Sequence, residues 1–219
     1  MNQAVPSTPG AKQRDYWFTV LLTDPVALPM VRTLAKRRWL SPDGVTVVAL
    51  LLGLSVGGFF ATTTRWGLIV GGIVFYFAFV FDCVDGKLAR ALQVTSARGE
   101  ALDHLADGGR RASAVLGLSV YLWRTEGDAT IFFAIVYMVA SYYFLEISGA
   151  ERGEAGGGIR GRLAQRLAQR RLLPNPGMPD VQAIAFIFGP VTGFVTAGLA
   201  VGIAMVTVAI ALTVYRRLR

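Results

Sequence analysis

The stretch Phe81-Asp82-Cys83-Val84-Asp85-Gly86-Lys87-Leu88-Ala89-Arg90, followed after a short gap by Gly99-Glu100-Ala101-Leu102-Asp103-His104-Leu105-Ala106-Asp107, places acid directly after an uncharged apolar run at 66–81. At 3.6 residues per helical turn, Asp82, Asp85, Gly86 and Ala89 fall within one narrow arc, bordered by Arg90. The second segment repeats the device. Gly99, Asp103 and Asp107 share a stripe that Arg110 continues. If the two helices pack face to face, four carboxylates converge beside a gap left open by residues with almost no side chain.

The surrounding chain fixes the medium of those acids. Of 219 residues, 53% are hydrophobic and only 16% charged, and the mean hydropathy is +0.49. That composition excludes an ordinary solvated surface and predicts an all-α integral membrane protein. The stretches 45–61, 66–81 and 129–147 are spans by length. A fourth apolar stretch at 112–123 reaches full length only by including the polar residues back to about Glu100, which brings the acids to membrane depth. The run 181–215 is uncharged and too long for one crossing, and Gly189-Pro190 and Gly193 offer a turn that divides it. Six transmembrane helices result. They occupy 41–219, preceded by an amphipathic juxtamembrane helix over 14–40 lying in the interface and by a disordered tail at 1–13.

Charge supports that count. With 22 Lys+Arg against 14 Asp+Glu the net charge is +8, which in a soluble chain would suggest nucleic acid. In a six-span arrangement the cations instead sort to one face. The N-terminal segment, 87–98, 152–171 and the C-terminal arginines share it, while Arg65 and Arg124 lie opposite. Both termini are therefore expected in the cytoplasm, in a cell membrane, with no nucleic-acid partner. Arg162, Arg166 and Arg170 recur at fourfold spacing beside Leu163 and Leu167, which predicts a short cationic helix resting on anionic headgroups. The single cysteine, Cys83, excludes an intrachain disulfide. Both it and His104 are rotated off the acidic arc.

An ionised aspartate near the bilayer centre costs roughly 2.5 to 3.5 kcal/mol, and mutual repulsion adds to this. A cation must fill such a site, unless the acids form a polar network that only locks two helices together. All-oxygen ligation selects Mg²⁺ or Mn²⁺. Two ions about 3.5 to 4 Å apart would clamp a diphosphate and activate an attacking oxygen. A divalent-cation transporter is the other class such a cluster suggests, although a pore has no evident need for Gly86 and Ala89 beside the Arg90 guanidinium. An intramembrane prenyltransferase also uses paired aspartates but generally needs more spans than this length allows.

The order Asp82-x2-Asp85-Gly86-x2-Ala89-Arg90-x8-Gly99-x3-Asp103-x3-Asp107 resembles, at every fixed position, the signature of the CDP-alcohol phosphotransferases, also called CDP-alcohol phosphatidyltransferases. Ser41-Pro42-Asp43-Gly44-Val45-Thr46 is similar to the family's Pro-Asn-x-x-Thr element, with Asp43 where Asn is usual. The resemblance implies an enzyme of phospholipid biosynthesis that moves a phosphatidyl group from a CDP-linked donor, CDP-diacylglycerol, to an alcohol and releases CMP. It also implies a homodimer. Carried over by position, Asp82, Asp85, Asp103 and Asp107 would hold two Mg²⁺ or Mn²⁺ ions. Pro42, Thr46, Asp82, Gly86, Ala89, Arg90 and Gly99 would surround the CDP moiety, and Asp107 would also be the general base. Some members use a soluble CDP-alcohol with a lipid acceptor, so the direction of transfer stays open. For the acceptor pocket the polar groups best placed are Arg110, Tyr142, Glu146 and Arg152. Arg110 serves equally as an ion-pair partner of the aspartates, and Glu146 as an interfacial residue.

Overall fold

The computed structural model describes residues 10–149, 167–173 and 175–218. Tail residues 1–9, Arg152 and the helix expected around Arg162 and Arg166 lie outside them. The described residues form helices and no strand. These are α1 (Asp24–Arg37), α2 (Pro42–Ala61), α3 (Arg65–Leu92), α4 (Ala97–Thr125), α5 (Ile131–Gly149), α6 (Met178–Ala183), α7 (Gly189–Thr192) and α8 (Val195–Arg217). A π-helical turn, Thr19–Thr23, leads into α1, and a second, Ile184–Phe188, joins α6 to α7.

Hydroxyl caps start the helices that carry the motif. Ser41 Oγ accepts from Gly44 N at 3.1 Å with Pro42 in the first turn of α2. Thr64 Oγ1 accepts from Gly67 N at 2.9 Å at the start of α3, and Ser96 Oγ accepts from Gly99 N at 3.0 Å at the start of α4. Each cap satisfies one orphan N–H of a first turn. α3 stops at Gln93, which takes the left-handed conformation at φ 56° and sends the chain through a short loop into α4.

Among the described residues, four helical stretches are long and apolar enough to cross a membrane: Pro42–Ala61, Arg65–Leu92, Asp128–Leu145 and Val195–Tyr215. The molecule is a multi-pass membrane protein. α4 is a further long helix of 29 residues, and its charged first half sets it apart from those four. The run 178–192 is helical throughout, roughly 22 Å at the α-helical rise, short of a hydrocarbon core of about 30 Å. It ends at Gly193, φ +89°. Gly189-Pro190 does not make the turn. The π turn before it closes a wider ring, from Gly189 N to Ile184 O, and the proline follows within the first turn of α7, where its missing N–H costs little. Arg65 caps the end of α7, donating from Nη1 to Pro190 O at 2.7 Å and from Nη2 to Val191 O.

α2 is the element on which both motif helices rest, since it packs extensively against α4 and α3 while α3 and α4 touch each other only sparingly. The α2–α4 crossing is made of small residues. Gly57 N donates to Ser113 Oγ at 3.0 Å, and the same hydroxyl donates to Leu54 O at 2.7 Å. A Cβ on Gly57 would fall 2.7 Å from Ser113 Oγ, and one on Gly53 would fall 2.9 Å from Arg110 Cβ. Backbones approach this closely in membranes through small residues and interhelical hydrogen bonds. The main core runs from Phe60 and Phe75 through Leu118, Tyr137 and Phe186 to Leu199.

The N-terminal helix is built into the protein along one side. Ala27 and Val31 of α1 pack on Val80, Val84 and Leu88 of α3. Lys87, 2% exposed, pairs with buried Asp24 at 3.2 Å, and Asp24 pairs again with Arg171 at 3.1 Å. Trp17, Leu21 and Leu22 remain exposed. Residues ahead of the helix are also placed, with Arg171 Nη2 donating to Lys12 O and Asp15 bridging to Leu172.

Gly57→Val forces α2 away from α4 and is expected to destabilise the protein by about 1–3 kcal/mol or more. The check is thermal denaturation in detergent. A melting temperature equal to that of the native chain would refute the close-packed crossing.

Candidate functional site

The start of α2, the end of α3 and the start of α4 meet around a cavity of about 730 Å³. α2 contributes Pro42 and Thr46, α3 contributes Asp82, Asp85, Gly86, Ala89 and Arg90, and α4 contributes Gly99, Asp103 and Asp107. The sequence expected the acids to converge by direct packing of α3 on α4. They line one cavity because both helices lean on α2.

Arg110 stands behind this wall, 1% exposed, and does not line the cavity. Its Nη1 is 3.3 Å from Asp82 Oδ1, and its Nη2 donates to Asp107 Oδ1. The guanidinium carbon lies 5.2 Å and 5.6 Å from the ring centroids of Phe79 and Phe75. Of the two roles open to Arg110, the structure has the ion pair. Arg111, one residue on, does line the cavity and reaches Asp107 Oδ2 at 3.7 Å.

No group of three His, Cys, Asp or Glu side chains among the described residues is gathered as metal ligands. The donor chemistry nevertheless fits a hard divalent ion. Asp82 Oδ1 and Asp85 Oδ2 are buried without a hydrogen-bond partner, a costly condition that a bound cation removes. Asp82 Oδ1 has only the ion-pair approach of Arg110, and the Thr46 hydroxyl donates to Pro42 O at 3.1 Å.

Arg90 is held by the N-terminal segment. Its Nε donates to Gly10 O at 2.9 Å, and Gly10, at φ +82°, lies so close to the Lys87 backbone that its Cβ position falls 2.9 Å from the Lys87 carbonyl carbon. Lys12, Asp15, Tyr16 and Thr19 extend that side of the cavity. Sequence reasoning missed these four, because nothing local links them to a motif some 70 residues later. It also missed Gln182 and Arg111, although Arg111 stands one turn after Asp107 and that spacing was available.

Of the remaining acceptor candidates, Tyr142 is the one whose side chain is described. Tyr142 is 69% exposed and outside the cavity wall. Leu145 lines the wall, whereas the side chain of Glu146 and all of Arg152 lie outside the described residues. His104 is exposed, with Nδ1 3.0 Å from Glu100 O of its own helix. Cys83 packs among apolar side chains and touches the cavity.

Residues 39–215 match the model of the CDP-alcohol phosphatidyltransferase family. No curated protein sequence matches significantly. Among solved structures, Mycobacterium tuberculosis phosphatidylinositol phosphate synthase with CDP-DAG bound superposes with a TM-score of 0.58 at 18% identity, over 87% of this chain and 92% of that one. The same synthase in complex with manganese and citrate gives 0.56 at 18% identity, over 85% and 86%. Its apo form gives 0.56 at 19% identity, over 85% and 93%. At these identities the likeness establishes a shared fold.

Arg110→Leu strands Asp82 and Asp107 next to the cavity, and removing one partner of a buried pair typically costs about 3–5 kcal/mol. The expected outcome is a marked fall in melting temperature, smaller for Arg110→Lys, in thermal scans of the detergent-solubilised protein. An unchanged value for Arg110→Leu would refute the ion pair.

Proposed function

Because the chain belongs to the CDP-alcohol phosphatidyltransferase family, we propose that it transfers the phosphatidyl group of CDP-diacylglycerol to an alcohol and releases CMP. The observation that carries the reading is that one cavity is lined by Asp82, Asp85, Asp103 and Asp107 together with Gly86, Ala89, Arg90, Gly99, Pro42 and Thr46. A neighbour of the same fold solved with CDP-DAG supports a lipid-linked donor over a soluble one.

In this reading Asp82, Asp85, Asp103 and Asp107 hold two divalent ions, Mg²⁺ or Mn²⁺, and the manganese in a neighbouring structure supports that choice. The ions, when bound, neutralise the diphosphate and the charge that develops on departing CMP. Gly86 and Ala89 leave room on the α3 face for the nucleotide, and Arg90 exchanges the Gly10 carbonyl for an oxygen of the donor. Asp107 takes the proton of the acceptor hydroxyl. The hydroxyl oxygen then forms a bond to the phosphorus that carries diacylglycerol, the anhydride bond to the cytidylate phosphate breaks, and CMP leaves with the bonding pair.

Arg110 and Arg111 position Asp107, each holding one of its oxygens. In the same reading α4 and the run 178–192, short as it is, cross together with the four apolar helices through a locally thinned bilayer, which gives six spans with both termini and the motif on the cytoplasmic side. The same reading includes a homodimer in the cell membrane.

Asp107→Asn keeps a side-chain oxygen for the ions but loses the basic carboxylate, so it is expected to leave CDP-dependent thermal stabilisation in Mn²⁺ largely intact and to lower CMP release by roughly 10²- to 10⁴-fold. Turnover at the native rate would overturn the base assignment. Chelation with EDTA is expected to abolish CMP release, and added Mn²⁺ or Mg²⁺ to restore it. Activity that persists in chelator would overturn the metal assignment.

A further inference from the structure

The segment ahead of α1 lies along one side of the cavity, where Lys12, Asp15, Tyr16 and Thr19 line the wall. In the transfer reading its only part is to supply the carbonyl that Arg90 leaves. Its root is well tied. Asp15 N donates to Arg171 O at 2.8 Å, Leu173 N donates to Asp15 O at 3.0 Å, and Phe18 N donates to Asp180 Oδ1 at 2.7 Å. Asp15 and Phe18 are buried. Towards the tip the chain emerges. Lys12 and Arg14 are exposed, and the contacts there run from Arg171 Nη2 to Lys12 O at 3.0 Å and from Arg90 Nε to Gly10 O at 2.9 Å. A segment anchored at one end and lightly held at the other opens from the light end at a small free energy.

The tip is nevertheless fitted to its place. Gly10 takes φ +82°, and a Cβ there would fall onto the Lys87 carbonyl oxygen and 2.9 Å from its carbon. Only glycine meets both conditions. Lys87 has little room to yield, since it sits inside α3 with its side chain paired to Asp24. The docked carbonyl also fixes the arginine. A Cβ on Gly86 would lie 3.4 Å from Arg90 Nη1 and 4.0 Å from Nη2, so the guanidinium rests over the small face of α3.

We infer that residues 10–14 form an autoinhibitory strap on the donor site. Docked Gly10 keeps Arg90 folded over Gly86, and a nucleoside diphosphate that draws Arg90 away releases the tip. A phosphate oxygen offers the guanidinium full negative charge and paired acceptors, whereas the carbonyl offers one neutral acceptor. The coupling is reciprocal, so a strap that the donor displaces also weakens donor binding. This rests on the transfer reading above and adds to it a control on donor entry.

Two measurements test it, both on the full chain in detergent with Mn²⁺. In the native chain, saturating CDP is expected to speed tryptic cleavage after Lys12 and Arg14 roughly 3- to 10-fold, read by mass as loss of the N-terminal residues. Gly10→Val cannot hold the docked pose. It is expected to be cleaved fast without CDP, and to lower the CDP concentration for half-maximal thermal stabilisation by roughly 3- to 10-fold. If that variant does not fold, cleavage of the native chain decides. CDP that slows cleavage at these two bonds or leaves it unchanged overturns the strap, as does a folded Gly10→Val variant with native half-saturation. Either result leaves transfer intact. A native chain that CDP does not stabilise overturns the transfer reading, and the strap with it.

Discussion

Arg110 reaches from α4 to Asp82 on α3 at 3.3 Å while also holding Asp107 of its own helix, with 1% of its surface exposed. A guanidinium so placed is costly to bury, and a largely buried aspartate such as Asp82 is costly to leave alone. Together they are tolerable. The pairing requires α4 to run close to α2, because the Arg110 stem lies against Gly53, where a Cβ would come within 2.9 Å of its own Cβ. The glycines of α2, the arginine of α4 and the aspartates of α3 and α4 therefore form a single constraint. None of the three could change in size or charge without moving the others.

A second electrostatic tie fixes the cavity from the N-terminal side. Lys87 lies on the same helix as the acids, points to Asp24 and is 2% exposed, and Asp24 is shared with Arg171. Through this chain of contacts α1, α3 and the segment before α6 are held together, and Asp180 extends the tie to Phe18. The consequence is a cavity whose walls are drawn from both ends of the sequence. Motif residues supply the carboxylates, while residues outside the motif, such as Tyr16 and Gln182, shape the remaining surface.

Much of the site was legible before any coordinates. Helical periodicity alone placed Asp82, Asp85, Gly86 and Ala89 on one arc and Gly99, Asp103 and Asp107 on another, and these residues do line one cavity. The break in the last apolar run was also legible, since the turn falls at Gly193, one of the two positions the sequence offered, while the other, Gly189-Pro190, stays helical. A proline in the first turn of a helix after a π turn loses no hydrogen bond that the helix needed. The side of the cavity built by α5 and α6 was poorly legible. Tyr142 was chosen from polarity and spacing on α5, yet it faces outward, and Gln182 went unnoticed within an apolar stretch. Which face of an apolar helix looks inward is set by its neighbours, and α5 has little amphipathic asymmetry to reveal it.

The sequence by itself determined the helical membrane character, the arcs of acid and the small residues beside them, because each depends on residues within a few turns of one another. Only the tertiary structure decided that α2 carries both motif helices, that Arg110 is an ion-pair partner behind the cavity, and that Gly10, Asp15 and Gln182 reach the site. The physical reason is distance along the chain. Asp15 meets Leu172 and Phe18 meets Asp180 only once the helices have packed, and no local periodicity encodes a contact that close packing between distant segments creates.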